Sequence, residues 1–157
     1  MTNTSDILVV EDVDSKFEAV VSVMVGTLGP FTPTRATNLN AAEDYVMARQ
    51  WSLIVLDLSM DITSTGSFGL SSGHATLGGL DVLERMALLK MGSSVALLTG
   101  FDSFQDADRF DNAIMNLADI DSLARSWLPK CYLGSVRYGP EGWHEEFRNL
   151  LDKWRAG

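Results

Sequence analysis

Short apolar segments recur along the chain, and each is followed by a stretch in which apolar residues have helical spacing. The apolar segments are 6–12, 31–37, 52–58, 93–100 and 130–138. The helical patterns cover 14–25, 38–50, 79–90, 102–127 and 141–154. Continuously apolar strands that alternate with amphipathic helices are typical of a parallel sheet with helices on both faces. The pattern therefore predicts a doubly wound α/β fold with a five-stranded parallel sheet.

Composition favours one globular domain over residues 1–157, since 46% of the residues are hydrophobic. A net charge of −9 argues against binding to nucleic acid or to an anionic membrane surface, because both need clustered Lys and Arg. The single cysteine, Cys131, cannot form an internal disulfide, and MTNTSD at the N-terminus lacks the features of a signal peptide. No apolar run reaches transmembrane length. We therefore expect a cytoplasmic protein without nucleic-acid or membrane partners.

Acidic side chains follow two of the predicted strands. Glu11 and Asp12 come after the first strand, and Asp57 comes after the third. Thr99 ends the fourth strand, and Arg137 lies near the end of the fifth. Because the carboxyl ends of parallel strands meet at one edge of the sheet, we expect these side chains to converge there. Clustered carboxylates repel one another unless a cation joins them, and oxygen ligands favour Mg²⁺.

Four segments together resemble the receiver domain of two-component response regulators. They are ILVVEDVD, LIVLDLSM, GGLDVLERM and ALLTG, and they follow one another in the family's order along nearly the whole chain. The resemblance implies a single receiver-like domain with a flavodoxin-like sheet, in which the strands are ordered 2-1-3-4-5. It implies that Asp57 accepts a phosphoryl group and that Thr99 is the switch hydroxyl. The Mg²⁺ ligands that it implies are Glu11, Asp12, Asp57 and the backbone carbonyl of Ser59.

The same resemblance implies a role in phosphorelay signalling. Such a protein is not a metabolic enzyme, because it catalyses only its own phosphorylation and dephosphorylation. A histidine kinase or a phosphotransfer protein would supply the phosphoryl group. The modified domain would then switch a surface that binds a downstream protein target, and a homodimer is an open alternative for its assembly.

The chain departs from the family at the end of the fifth strand, where receivers carry a lysine. Arg137 is the first candidate to replace that lysine, followed by Ser135 and then Lys130. An arginine would keep the positive charge but has a planar fork with a different reach, whereas a serine would lose the charge. The other lysines fall within predicted helices: Lys16, Lys90 and Lys153.

A second departure is the extended loop at about 60–78, which separates Asp57 from the next helix. It is about a dozen residues longer than an ordinary strand-to-helix connection. Its Gly and Ser content favours a flexible loop, while its place beside Asp57 also suits a lid or a partner-docking element. Asp61 and His74 lie within it, and His74 has no accompanying His or Cys to complete a metal site.

Two other classes of function compete with a phosphorylated receiver. A receiver-like binding or regulatory module that is never phosphorylated is favoured by the missing lysine and by the long loop. A phosphatase of the haloacid dehalogenase type also uses an Asp at a strand tip. That class needs a second Asp two residues later, where this chain has Ser59.

Overall fold

A five-stranded parallel sheet forms the centre of a computed structural model that describes residues 4–59, 78–105, 113–139 and 141–157. The strands are β1 Ile7–Val10, β2 Thr34–Ala36, β3 Leu53–Leu56, β4 Ser94–Thr99, β5 Ser103–Gln105, β6 Ile114–Asn116 and β7 Tyr132–Arg137. The sheet has the order β2-β1-β3-β4-β7, and every pair of neighbours in it is parallel. This arrangement confirms the predicted flavodoxin-like sheet, with β7 as the fifth strand in the predicted order.

Five helices flank this sheet in the described part of the chain. They are α1 Asp14–Leu28, α2 Leu39–Ala48, α3 Gly78–Leu88, α4 Leu117–Trp127 and α5 Trp143–Ala156. The side chain of Asn38 caps α2 by accepting a hydrogen bond from the backbone N–H of Ala41. None of the described helices has both the length and the apolar character that crossing a bilayer requires.

The hydrophobic core has one layer on each face of the sheet. Ile7 and Val9 of β1 pack into the layer with α1 and α5, whereas Leu8 and Val10 pack into the layer with α2, α3 and α4. Because successive side chains of a strand point to opposite faces, a strand buried on both faces has no polar positions. All four residues of β1 and all four of β3 are accordingly buried.

The predicted helix over 102–127 is wrong at 103–105 and 114–116, which are strands. The antiparallel pair β5–β6 comes before helix α4, which begins only at Leu117, while 106–112 lie outside the described residues. Phe104 of β5 is fully buried in the core, and this position holds the chain extended against the sheet. Asn116 and Asp119 form a capping box that sets the start of α4.

Helix α3 begins in direct contact with the end of β3. The backbone N–H of Gly79 donates to the carbonyl of Leu58 at 3.1 Å. A Cβ at position 79 would lie 2.8 Å from Leu58 Cα, so this close approach requires glycine. Residues 60–77 between the two elements are outside the described residues, and with them the expectations for Asp61, His74 and a lid.

Candidate functional site

Three carboxylates meet at the carboxyl edge of the sheet. Glu11 and Asp12 follow β1 and Asp57 follows β3, and these strands are parallel neighbours in register. One oxygen atom from each carboxylate lies within 4.8 Å of the others. Glu11 and Asp57 are buried, while Asp12 is exposed to solvent. The structure therefore brings together the three acids that the strand ends predict.

The donor atoms of this cluster are suited to Mg²⁺. All three side chains offer hard carboxylate oxygens, and the exposure of Asp12 leaves room for the water ligands that Mg²⁺ retains. Ser59 lies beside the cluster, because its backbone N–H and its hydroxyl both donate to Asp57 Oδ1, at 3.0 and 2.8 Å. The role of its backbone carbonyl as a fourth ligand stays a prediction.

A lysine that the sequence pattern places only within a helix enters this site. Lys16 Nζ lies 2.8 Å from Glu11 Oε1 and 3.4 Å from Asp57 Oδ2. It also donates to the backbone carbonyl of Leu98 at 3.1 Å. The side chain is buried, with 7% of Lys16 exposed. Lys16 therefore supplies the cation that a buried pair of carboxylates requires.

One lysine does not neutralise the whole cluster. Burial raises the pKa of Glu11 from 4.5 to about 7, and the charge of Asp57 raises it as well. Lys16 and the backbone N–H of Val13, which donates to Glu11 Oε2 at 3.1 Å, act in the opposite direction. The site thus keeps an excess of negative charge that a divalent cation would relieve.

Thr99 ends β4 beside this cluster and is fully buried. Its hydroxyl oxygen accepts a hydrogen bond from the backbone N–H of Phe101 at 3.3 Å. Gly100 and Phe101 line a solvent-open cavity of about 230 Å³ together with the three acids and Lys16. The cavity leaves space for a small tetrahedral anion against Asp57.

Arg137 pairs with Asp102 and not with Asp57, and its replacement of the family's lysine stays a prediction. It does end β7, opposite Thr99, but its guanidinium binds Asp102 at 2.8 Å and its side chain is 41% exposed. Of the other two candidates, Lys130 is exposed in the turn before β7 and Ser135 lies inside that strand. The ion pair that the structure gives to Asp57 is made by Lys16.

The different direction of Arg137 follows from a bulge in β7. Tyr132 pairs with Val95, but Gly134 pairs with Ala96, so Leu133 is an extra residue in the ladder. After the bulge, Val136 packs into the layer with α1 and α5. Arg137, the next residue, therefore points to the opposite face of the sheet, where Asp102 lies.

A signal for Lys16 was present in the sequence. The buried residues of α1 are Lys16, Val20, Val23 and Met24, which are spaced as one helical stripe. A lysine on the apolar stripe of a helix must find a buried partner, since an unpaired ammonium there is costly. That the partners are Glu11 and Asp57 became visible only with the fold.

Comparison with known proteins gives a match in structure alone. No protein-family model matches the sequence, and no curated protein matches it significantly. A response regulator from Colwellia psychrerythraea is 14% identical, with a TM-score of 0.61 over 99% of this chain and 100% of that chain. The isolated REC domain of RcsB from Salmonella enterica serovar Typhimurium, determined with the phosphomimetic BeF3⁻, is 14% identical, with a TM-score of 0.61 over 96% and 90%.

A third similar structure is a complex of two proteins. It is the complex of the P1 domain of CheA3 with CheY6 from R. sphaeroides. The match has 18% identity and a TM-score of 0.57, and it covers 99% of this chain and 99% of the matched chain. Identities this low establish similarity of fold. The chain thus has the fold of the response regulator receiver domains, over nearly its whole length.

Proposed function

We propose that this protein is a response regulator receiver that accepts a phosphoryl group on Asp57. The observation that carries the proposal is the convergence of Glu11, Asp12 and Asp57 on one open cavity, with a buried ammonium beside Asp57. Receiver domains that share the fold are signalling modules, so the activity is limited to the protein's own phosphorylation and dephosphorylation. We place this activity in the cytoplasm.

In the proposed transfer, a carboxylate oxygen of Asp57 forms a bond to phosphorus. The P–N bond of a phosphohistidine breaks at the same time, and its electron pair leaves with the imidazole nitrogen. Ser59 holds Asp57 Oδ1 through two hydrogen bonds, which orients the carboxylate for attack. Mg²⁺ held by Glu11, Asp12, Asp57 and the backbone carbonyl of Ser59 would neutralise charge on the phosphoryl oxygens.

The donor in this proposal is a histidine kinase or a phosphotransfer protein. A similar structure, the complex of a CheA3 P1 domain with CheY6, supports that class of partner. The solvent-open cavity at Asp57 gives such a donor access to the carboxylate. Ser59 and Phe101 both line that cavity, so they also border the path of the water that later hydrolyses the acyl phosphate.

Thr99 is the proposed switch. After transfer, its hydroxyl would donate to a phosphoryl oxygen, while its oxygen now accepts from the N–H of Phe101. The carbonyl of Thr99 accepts from the N–H of Tyr138 at 2.8 Å, so a displacement of Thr99 acts directly on the end of β7. This movement would bias the surface around β4 and β7 toward a state that binds the downstream protein target.

Intact-protein mass spectrometry after treatment with acetyl phosphate and Mg²⁺ tests the proposal. We expect the wild type to gain one phosphoryl group and Asp57→Asn to gain none. Asp102→Asn is a matched control, because Asp102 is an exposed acid outside the cluster. A wild type without the adduct, or an adduct that survives in Asp57→Asn, would contradict the proposal.

One observation favours a receiver-like binding module that is never phosphorylated. The ammonium of Lys16 already contacts both buried carboxylates, so the cluster has a cation of its own. Such a module would show no affinity for Mg²⁺ and no adduct with acetyl phosphate. The phosphatase alternative is weaker, since the hydroxyl of Ser59 cannot replace the second carboxylic acid of that mechanism.

A further inference from the structure

We propose that Lys16 of helix α1 is the residue that binds the phosphoryl oxygen, and that the same ammonium opposes Mg²⁺ binding at Glu11 and Asp57. This inference rests on the proposed function, and it moves the cation of the site from a strand end to the first turn of a helix. The consequence is that phosphorylation would act directly on α1.

The contacts of Lys16 leave one donor directed at the reacting group. An ammonium has three N–H donors. Two short contacts, to Glu11 Oε1 at 2.8 Å and to the carbonyl of Leu98 at 3.1 Å, hold Nζ in place. The third contact, to Asp57 Oδ2, is longer at 3.4 Å. A phosphoryl oxygen added to Asp57 would offer this donor a charged acceptor, which makes a stronger hydrogen bond than the present long contact.

The placement of Lys16 has a cost that packing does not explain. Lys16 lies in the first turn of α1, where the helix dipole disfavours a positive charge. Val13, the residue before this helix, occupies the N-cap position and makes no side-chain hydrogen bond. A buried lysine at such a position is retained because of the negative charge that it faces.

Lys16 also connects the site to Thr99. The carbonyl of Leu98, which accepts from Nζ, belongs to the residue before Thr99. A phosphoryl group on Asp57 would therefore be bound by Thr99 of β4 and by Lys16, whose ammonium is held by the adjacent residue of that strand. Tightening of either contact pulls on the same strand, so helix α1 and strand β4 would respond together.

Opposite effects on two ligands distinguish this role from a merely structural one. Lys16 lies within ion-pair distance of two of the three carboxylates, so its charge repels a divalent cation at the cluster. Removing the charge should tighten Mg²⁺ binding by about tenfold. The same change should weaken binding of a phosphoryl analogue by about tenfold or more, because its oxygens lose a charged donor.

The molecule carries an internal reporter for this experiment. Lys16 Nζ lies 5.4 Å from the ring centroid of Tyr138, and that ring lies 4.7 Å from the ring of Trp143. A displacement of Lys16 therefore changes the surroundings of a tryptophan that is two contacts away. Tryptophan emission can follow the site in the whole protein without a label.

The experiment compares the wild type, Lys16→Met and Lys16→Arg with Lys153→Met, which removes an exposed lysine from α5. Calorimetry gives the dissociation constant for Mg²⁺. Calorimetry at saturating Mg²⁺ gives the dissociation constant for beryllofluoride in every variant, because the variants of Lys16 alter the tryptophan reporter itself. Tryptophan emission follows the same titration in the wild type and Lys153→Met, and mass spectrometry measures the adduct from acetyl phosphate. We expect Lys16→Met to bind Mg²⁺ more tightly and beryllofluoride more weakly than the wild type. Lys16→Arg should have affinities for both ligands between those of Lys16→Met and the wild type. Lys153→Met should match the wild type.

Circular dichroism verifies that each variant is folded, and Lys16→Gln replaces Lys16→Met if the latter does not fold. An unchanged beryllofluoride affinity in a folded Lys16→Met, beside a responding wild type, overturns this inference and leaves the proposed function intact. Weaker binding of both Mg²⁺ and beryllofluoride also overturns it, since general damage explains that pattern. A wild type that gives neither a response nor an adduct overturns the inference and the proposed function together.

Discussion

Two cations lie near the carboxyl edge of the sheet, and their surroundings are very different. Lys16, in the first turn of α1, is buried against Glu11 and Asp57. Arg137, at the end of β7, makes its ion pair with Asp102, whose side chain is 66% exposed. The comparison teaches that proximity of a residue to a strand end does not decide whether its charge enters the site. The direction of the side chain decides it.

Different local features set the two directions. Lys16 belongs to the buried stripe of α1, so its stem follows the apolar face toward the sheet before the ammonium reaches the carboxylates. Arg137 follows a bulge at Leu133, which exchanges the faces of the residues after it. The buried charge also faces a much lower effective dielectric than the exposed one, so its interactions are stronger.

The largest expected difference concerns stability. In buffer free of divalent ions at pH 8, Lys16→Ala should lower the free energy of unfolding by about 3 kcal/mol, because it leaves two buried carboxylates without their cation. Arg137→Ala should lower it by less than about 1 kcal/mol, since its ion pair is exposed to solvent. Urea unfolding of both variants measures the difference. Equal losses would contradict the contrast between the two cations.

A second prediction uses the acids that these cations face. The folded-state pKa of Glu11, about 7, lies above its unfolded value of 4.5, so the folded state disfavours the charged form. Stability from this group is therefore present below pH 4.5 and is lost as the pH rises toward 7. Glu11→Gln should remove that loss. As the pH rises from 4.5 to 8, its free energy of unfolding should come to exceed that of the wild type by about 1–3 kcal/mol.

The matched change is Asp102→Asn, which alters the acid that pairs with Arg137. Because Asp102 is exposed, we expect its removal to change stability by less than about 0.5 kcal/mol at any pH in this range. Thermal unfolding in metal-free buffer at several pH values measures both variants. A pH dependence that is the same in Glu11→Gln and in the wild type would show that Glu11 is not the group responsible.

A third prediction concerns backbone strain at the bulge that precedes Arg137. Gly134 has a φ of 142°, and a Cβ there would lie 3.1 Å from Leu150 Cδ1. Gly134→Ala should therefore cost about 1–2 kcal/mol through backbone strain. Gly26→Ala is the control, because a Cβ at Gly26 in α1 contacts nothing within 4 Å and should stabilise the helix by about 0.5–1 kcal/mol. Urea unfolding midpoints that shift in the same direction for Gly134→Ala and Gly26→Ala would contradict this account.

The sheet and the acidic cluster were predictable because they depend on local patterns. The continuous apolar runs of β1 and β3 determine buried parallel strands, and parallel strands in register must bring Glu11 and Asp57 together.

The rest depends on contacts between distant parts of the chain. A one-residue bulge in β7 leaves no clear mark in the sequence, yet it reverses the direction of Arg137. The partners of Lys16 come from β1, β3 and β4, so the helix pattern alone could not identify them. The β5–β6 pair was missed because Phe104 fits a helical pattern as well as an extended one, and burial decides between them.

The contact between Gly79 and Leu58 has a consequence for how the chain tolerates change in length. Since the N–H of Gly79 in the first turn of α3 bonds to the carbonyl of Leu58, the described chain positions before and after 60–77 are held next to each other. Changing the number of residues that join these two positions should alter mainly a loop-closure entropy, by about 0.6 kcal/mol for each doubling. Evolution or an engineer can thus lengthen, trim or exchange the sequence between Leu58 and Gly79 while the described scaffold keeps its geometry.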